Sequence, residues 1–346
     1  MKRRHFIRTG AVVSAGLGSG MMACSGGQAR PINKREAVLS LINDNKPQEY
    51  IPAGFFTHFD KKYHTGQAAI DKHLAYFRQT GLDFVKIQYE KEFPKIPEIK
   101  KPADWANMPL YKKDFFEEQL AVIEGIVKSA KSEAPVIATL YAPFAMAGTT
   151  TTYETVTRHL EEDPEQVVKG LEIITESLMN YAKECIKLGV DGFLQSTQGG
   201  EGGRYTDYRL FTEYVKPFDM AIGKEIEEHC SCNILHICDW AGDYDDYSAF
   251  VDYPGHIVNS SLHLRNHQQI TAKEMYSLFN RPFMGGMDKR GILTSGSEAE
   301  IEAEVNQVLS EAPEKFILAA SCTVPGDTDW ERIKTAVDTA HQYKRG

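Results

Sequence analysis

The chain has 346 residues, of which 42% are hydrophobic and 25% are charged, so it can bury a full-sized core. Its formal net charge is −9, and no basic run interrupts the chain after the N-terminal region, which argues against nucleic acid as a partner. No stretch of that part is long and apolar enough to cross a bilayer. The six cysteines do not have the count and spacing of a disulfide framework.

The N-terminal segment has the composition of an export signal. Basic residues, a mildly apolar stretch and small residues around Cys24 follow one another in MKRRHFIRTGAVVSAGLGSGMMACSGG. The run from Arg3 to Arg8 resembles the twin-arginine consensus, which implies export of a folded protein. The box from Met21 to Cys24 resembles a lipoprotein cleavage site, which would leave Cys24 acylated. We expect an exported protein, periplasmic or membrane-anchored, with an export signal over 1–24, a linker over 25–35 and a folded domain over 36–346.

After this segment, apolar runs alternate with amphipathic helical patterns. Gly81, Gly189 and Pro313 stand at the ends of three of the helical patterns, as helix-terminating residues do. Eight strands alternating with helices fit the α/β class and a single-domain (β/α)8 TIM barrel. An open doubly wound sheet is the alternative, but no glycine-rich phosphate fingerprint follows the first strand. The predicted strands are 53–59, 83–89, 135–142, 190–197, 233–238, 256–262, 282–287 and 315–321, and the clearest helices are 67–81, 114–130, 168–189 and 297–313.

The carboxyl ends of the strands supply the candidate site residues, because active sites of such barrels lie there. Three of these side chains are soft metal ligands, and the others are candidate substrate contacts. In chain order the candidates are His58, Tyr89, Glu90, Tyr141, Gln198, His236, Cys238, His263, Asp288 and Cys322.

His236 and Cys238 are two residues apart at the end of a predicted strand. Residues i and i+2 of an extended chain face the same side, so the imidazole and the thiol lie side by side. Cys322 follows the last predicted strand and faces the same mouth. Zinc favours Cys sulfur and His nitrogen, and a catalytic zinc keeps one of its four positions open. The sequence therefore predicts a three-ligand zinc site, with a Cys238–Cys322 disulfide as the alternative in an exported protein.

The glycine-rich loop STQGGEGGRYTDY, residues 196–208, is expected to be a mobile lid or a plain flexible loop. Arg204 in this loop is a candidate anion contact. Glu201 is a candidate catalytic residue, as a removable fourth ligand or a proton acceptor, and a solvated loop residue is the alternative. Asp239 is the second candidate, because it is close enough in sequence to orient His236 through its other ring nitrogen.

From about residue 40 to the C-terminus, the sequence resembles the uroporphyrinogen decarboxylase superfamily. The resemblance lies in GLDFVKIQYE, LYAPFAMAG, RLFTEYVKPF, GGMDKRGILTSGS and FILAASCTVPGDTDWERIKTAV. Within the superfamily, LHICD followed downstream by SCTVPGDT is similar to the zinc-dependent corrinoid:thiol methyltransferases. Those enzymes carry an H-x-C at one strand end and a Cys at the last, as ligands of one zinc. His236, Cys238 and Cys322 fall on these positions, whereas Asp239 and Trp240 replace the Gly and Asn that usually follow the first Cys.

The resemblance implies methyl transfer from a corrinoid, or a similar methyl donor, to a thiol, with Zn2+ as the cofactor. It implies a small thiol or a tetrapyrrole-like molecule as substrate and a corrinoid protein as a partner, while membrane contact is expected only through Cys24. The decarboxylase branch fits less well, because its arginine motif is absent and Cys322 replaces its late histidine. Two alternatives stay open: a metal-free decarboxylase or other lyase on a carboxylated substrate, and a non-catalytic exported binder of a tetrapyrrole or corrinoid.

Overall fold

The computed structural model describes residues 32–44, 47–87 and 91–345. Seven parallel strands form one curled sheet, in which each strand pairs with the next along the chain. α-Helices connect most of the strands and pack against the sheet, as in βαβ units, whereas the segment between the fourth and fifth strands holds only a short 3-10 helix, Ser248–Phe250. The strands are β1 (Val85–Ile87), β2 (Val136–Tyr141), β3 (Gly192–Thr197), β4 (Ile234–Ile237), β5 (Ile257–Ser260), β6 (Phe283–Met287) and β7 (Phe316–Ala320).

Local sequence signals set the ends of the helices. Gly81 and Gly189 end two helices with positive φ values of 76° and 91°, a conformation that suits glycine. Ser297 accepts a hydrogen bond from the N–H of Glu300, whose carboxylate accepts one from the N–H of Ser297. The four helices predicted from the sequence are confirmed. The helices are α1 (Lys34–Asn43), α2 (Gly66–Thr80), α3 (Glu117–Ala130), α4 (Pro143–Thr150), α5 (Tyr153–Glu162), α6 (Pro164–Leu188), α7 (Arg209–Tyr214), α8 (Lys216–His229), α9 (Ala272–Phe279), α10 (Ile292–Ser295), α11 (Glu298–Glu311) and α12 (Trp330–Gln342).

The first predicted strand, 53–59, is not a regular strand, so the described residues hold seven strands and not the predicted eight. The segment makes isolated parallel bridges, one of them between Ala53 and Leu318 of β7. On its other side, the N–H of Asp83 donates to the carbonyl of Ala53 at 3.0 Å. The Asp83 carboxylate accepts the N–H of Ala53 at 2.8 Å. In a regular pair of strands, the N–H of Ala53 would donate to a backbone carbonyl of the neighbouring strand. Here the Asp83 side chain accepts this hydrogen bond instead.

Helix α1 covers the amino ends of the strands on the inner face of the sheet. Its Val38 and Leu41 are buried in one apolar cluster with side chains from all along the sheet. Arg35 of α1 forms an ion pair of 2.5 Å with the buried Asp191. Because α1 covers the amino ends of the strands, the carboxyl ends remain available for a site. The other buried members of the cluster are Phe56, Phe84, Ile137, Leu194, Cys232, Ile234, Ile257, Met284, Ile317 and Ala319.

The folded unit begins slightly earlier than the sequence indicated. Helix α1 starts at Lys34, inside the segment expected to be a linker, because the side chain of Asn33 accepts a hydrogen bond of 3.1 Å from the N–H of Glu36. The compact unit runs over Asn33–Gly346. Cys24 and the expected export signal lie outside the described residues. Within the described ranges, no helix has the length and apolar character needed to cross a membrane.

Candidate metal centre

Strand β4 places the first two candidate ligands. His236 is paired in register with Ser196 of β3 and Asn259 of β5, which fixes its position in the middle of the sheet. The N–H of Cys238, just after β4, donates to the carbonyl of Thr197 at 3.1 Å and extends the same pairing. Both side chains are buried, with 4% and 7% of their surface exposed.

Strand β7 brings the third candidate ligand to the same point. The N–H of Ser321 donates to the carbonyl of Met287 at 2.9 Å, which continues the pairing with β6 one residue beyond β7, and the chain bends at Ser321 and Cys322. The Sγ atom of Cys322 lies 4.0 Å from Sγ of Cys238 and 3.4 Å from Nε2 of His236. All three donor atoms lie within 4.8 Å of one another.

The two distances from the sulfur of Cys322 are close to those in a tetrahedral zinc site. Zinc bonds of about 2.3 Å to sulfur and about 2.0 Å to nitrogen give tetrahedral edges of about 3.8 Å between two sulfurs and about 3.5 Å between sulfur and nitrogen. The observed separations are 4.0 Å and 3.4 Å. Both cysteines are free, so the alternative Cys238–Cys322 disulfide is not formed in this structure.

The two thiols titrate as a pair. A hydrogen bond from Cys238 lowers the pKa of Cys322 well below its ordinary value, and His236 and Lys289 act in the same direction. The same hydrogen bond, together with burial, raises the pKa of Cys238. The two pKa shifts have opposite signs, so Cys322 is the sulfur of the pair that is deprotonated more readily and more readily binds a soft cation.

The three donor atoms face a cavity of about 700 Å³ at the carboxyl ends of the strands. Of the predicted substrate contacts, His58, Tyr141 and Gln198 line this cavity. Its wall also carries more positive than negative charge, which sequence reasoning missed. The charged lining residues are Lys86, Lys95, Lys289, Arg290, Glu92 and Glu154.

A family model described as Uroporphyrinogen decarboxylase (URO-D) matches residues 74–343. The chain belongs to the uroporphyrinogen decarboxylase family. A relative named uroporphyrinogen decarboxylase, from Aquifex aeolicus (strain VF5), is 22% identical over 271 residues, which are 75% of this chain and 74% of the relative.

Two solved structures share the fold of this family member. A methyltransferase from Methanosarcina mazei superposes with a TM-score of 0.70 and 15% identity, covering 90% of this chain and 98% of that one. A B12-independent methionine synthase from Shewanella sp. W3-18-1 superposes with a TM-score of 0.51 and 15% identity, covering 85% and 95%.

In this decarboxylase-family chain the glycine-rich loop is anchored by buried contacts, and Glu201 is not the solvated loop residue that was the alternative. Glu201 is only 2% exposed, and its carboxylate accepts the N–H of Gly199 at 3.0 Å and pairs with Arg204. Arg204 also donates to the carbonyl of Ala241 at 3.2 Å. Neither charged side chain lines the metal-facing cavity, so the buried ion pair gives both a structural position.

Asp239 does not orient His236 as predicted. Its carboxylate forms an ion pair with Lys289, which lines the cavity. The Nδ1 atom of His236 is buried and has no hydrogen-bond partner among the described residues. The correction has a simple cause: Asp239 follows Cys238 directly, so in the extended chain it faces away from His236.

The remaining candidates do not reach the cavity wall within the described residues. His263 and Asp288 are exposed and lie 4.0 Å apart as a surface pair. Tyr89 and Glu90 lie outside the described residues, so their proposed contacts stay predictions. The sequence offered a signal for Lys86, because its charge interrupts the run DFVKIQY. In the structure Lys86 is in register with the buried Ile137.

Proposed function

We propose that this chain is a zinc-dependent enzyme, built on a (β/α)8-type barrel, that transfers a methyl group from a corrinoid or similar donor to a thiol. The observation that carries the proposal is the cluster of His236, Cys238 and Cys322, a soft donor set whose atoms lie within 4.8 Å of one another beside a large cavity. The fold shared with a methyltransferase from Methanosarcina mazei supports it.

The zinc ligands in this proposal are Nε2 of His236 and the sulfurs of Cys238 and Cys322. Three protein ligands would leave a fourth position for a substrate thiol, and all three residues line the cavity from which it would enter. When bound, zinc supplies a positive charge that lowers the pKa of a thiol at that position. This matters because the thiolate, not the thiol, is the effective nucleophile.

The protein's own part is to bind and align the two substrates. The cavity of about 700 Å³ is large enough to hold a small thiol together with the reacting part of a methyl donor. Lys86 and Arg290 line it, and Lys289 is held at its wall by Asp239. Positive charge in a cleft of an otherwise acidic protein attracts anions, so we propose a thiol that carries a negatively charged group.

The test is thiol methylation with methylcobalamin as the donor and 3-mercaptopropionate as the acceptor, read as thioether formation by mass spectrometry. Zinc-loaded wild type should turn over, Cys322→Ser should not, and Cys230→Ser should resemble wild type because Cys230 does not line the cavity. Full activity of Cys322→Ser, or no methylation by zinc-loaded wild type with methylcobalamin or a methylated corrinoid protein, would contradict the proposal.

A decarboxylase acting on a carboxylated substrate is the second candidate. The name of the Aquifex aeolicus relative and the positive charge of the cavity favour it. Such an enzyme needs no metal, so its activity would survive a chelator. Release of CO2 from a porphyrinogen, unchanged in Cys322→Ser and after chelator treatment, would support this candidate against the methyltransferase.

We also propose that the protein is exported and anchored through Cys24. The twin-arginine pattern and the small residues before Cys24 support this location. In a bacterial host the full chain should be found in the membrane fraction and incorporate labelled fatty acid. Cys24→Ser should lose the label; a wild-type chain without label in the cytoplasmic fraction would contradict the proposal.

A further inference from the structure

Cys238 receives a hydrogen bond from a side chain that the proposed zinc chemistry does not itself use. The Nε2 atom of Gln198, at the end of β3, lies 3.7 Å from Sγ of Cys238 and donates to it. Gln198 is only 2% exposed, so its amide is fixed by the protein and not by solvent. Bound to zinc, the sulfur of Cys238 would be deprotonated and could only accept, which requires the NH2 group of the amide to face it.

Tyr153 holds the other end of the same amide. Its hydroxyl donates to Oε1 of Gln198 at 2.9 Å, and this bond fixes the amide in the orientation that presents NH2 to the sulfur. Burial raises the pKa of Tyr153 to about 12, so the hydroxyl stays a donor at neutral pH. Two hydrogen bonds in series therefore connect the start of α5 with the sulfur of Cys238.

Neighbouring glycines make room for this arrangement. A Cβ atom on Gly148 would lie 2.6 Å from the ring of Tyr153, so glycine allows the ring to approach α4. Gly199, directly after Gln198, has a φ of 98°, and a Cβ there would lie 2.8 Å from the ring of Phe144. The phenol and the amide are thus placed by close packing.

We infer that Gln198 and Tyr153 are positioning residues, which fix the sulfur of Cys238 in its metal-binding direction and stabilise its thiolate through an N–H···S hydrogen bond. The inference rests on the proposed zinc site. Gln198 was expected from the sequence to contact substrate; its contact with Cys238 makes it part of the support of the metal ligands. Groups that hydrogen-bond to metal ligands set ligand orientation, and their loss weakens metal affinity.

The test compares wild type with Gln198→Met, which keeps the volume but removes the donor, and Tyr153→Phe, which removes one hydroxyl. Zinc affinity is measured by competition with a chromophoric chelator. We expect Gln198→Met to lose about 10- to 100-fold in affinity, and Tyr153→Phe to lose less. The matched control is Tyr214→Phe, whose hydroxyl bonds Glu165 at an exposed position and which should bind zinc as wild type does.

A second readout separates positioning from general damage. In the cobalt-loaded proteins, the sulfur-to-cobalt charge-transfer band should move to longer wavelength in Gln198→Met and Tyr153→Phe, since an unbonded sulfur donates electrons more readily. If Gln198→Met does not fold, Tyr153→Phe carries the test alone. Wild-type affinity and an unmoved band in the folded variants would overturn this inference and leave the zinc site intact, whereas wild type that binds no zinc would overturn the proposed function itself.

Discussion

The sulfur of Cys322 lies 3.4 Å from Nε2 of His236, although the two residues are 86 positions apart in the chain. Their strands, β4 and β7, are not neighbours, since β5 and β6 lie between them. The contact therefore crosses the mouth of the curled sheet, and a metal ion bound there would join two sides of the fold.

Zinc should stabilise the protein against unfolding for this reason. At a free zinc concentration of 100 times its Kd, the free energy of unfolding should rise by about 2.7 kcal/mol, because the unfolded chain does not hold the three ligands together. Chemical denaturation with and without zinc measures this rise. Cys238→Ser should lose most of it and Cys230→Ser should keep it; equal stabilisation of both variants would place the bound zinc elsewhere.

Lys86→Gln should weaken the binding of a negatively charged thiol. Lys86 lies on β1 and lines the cavity, so its charge acts on a bound anion at short range. We expect KM for 3-mercaptopropionate to rise about tenfold, equivalent to about 1.4 kcal/mol, with little change for the uncharged 2-mercaptoethanol. The control is Lys112→Gln, on the surface outside the cavity. Equal changes in KM for both thiols would mean that Lys86 does not recognise the charge of the substrate.

The sheet order and the metal cluster were within reach of sequence reasoning. Strand periodicity located β1 to β7, and an H-x-C pattern at a strand end indicates a shared side for His236 and Cys238. Cys322 could be added because the barrel architecture brings all strand ends to one mouth. Each of these inferences depends only on local periodicity and on a strong architectural rule.

The predictions that were wrong depend on contacts made by individual side chains. The first predicted strand is interrupted because the Asp83 carboxylate takes the N–H of Ala53. Glu201 is buried and not solvated because Arg204 forms an ion pair with it. No periodic pattern shows such pairs in advance, because each depends on the direction of individual side chains.

Asp219 should make stability depend on pH. It is fully buried, and burial raises its pKa from 3.8 to about 7. The native state therefore keeps a proton that the unfolded chain loses, so the stabilising contribution is fully present below about pH 4 and is lost as the pH rises to about 7. Asp219→Asn should not show this loss. Its free energy of unfolding should rise relative to that of wild type by on the order of 1 to 4 kcal/mol between pH 4 and pH 8.

Urea unfolding across that pH range measures the gain, and Asp71→Asn, at an exposed position, is the control. A constant difference between Asp219→Asn and wild type over the whole range would show that the carboxyl group has an ordinary pKa in the native protein.

Two glycine substitutions should differ sharply in their effect on stability. A Cβ on Gly192 of β3 would lie 1.9 Å from the backbone oxygen of Cys232, so Gly192→Ala must push two backbone segments apart. We expect a loss of about 3 kcal/mol or more. In Gly125→Ala the new Cβ would lie 2.3 Å from Cδ1 and 3.0 Å from Cγ1 of Ile70, a half-buried side chain that can move, and the helix gains about 1 kcal/mol in propensity. This variant should stay close to wild type in denaturant midpoint, and similar losses in both would contradict the packing of β3.

The most direct test of the metal centre is zinc content by elemental analysis of protein purified under reducing conditions, with Cys322→Ser beside wild type. Three ligands around one position predict close to one zinc per wild-type chain and almost none in the variant. Wild type without zinc, carrying a Cys238–Cys322 disulfide by mass spectrometry, would contradict the zinc site and the methyl-transfer proposal built on it.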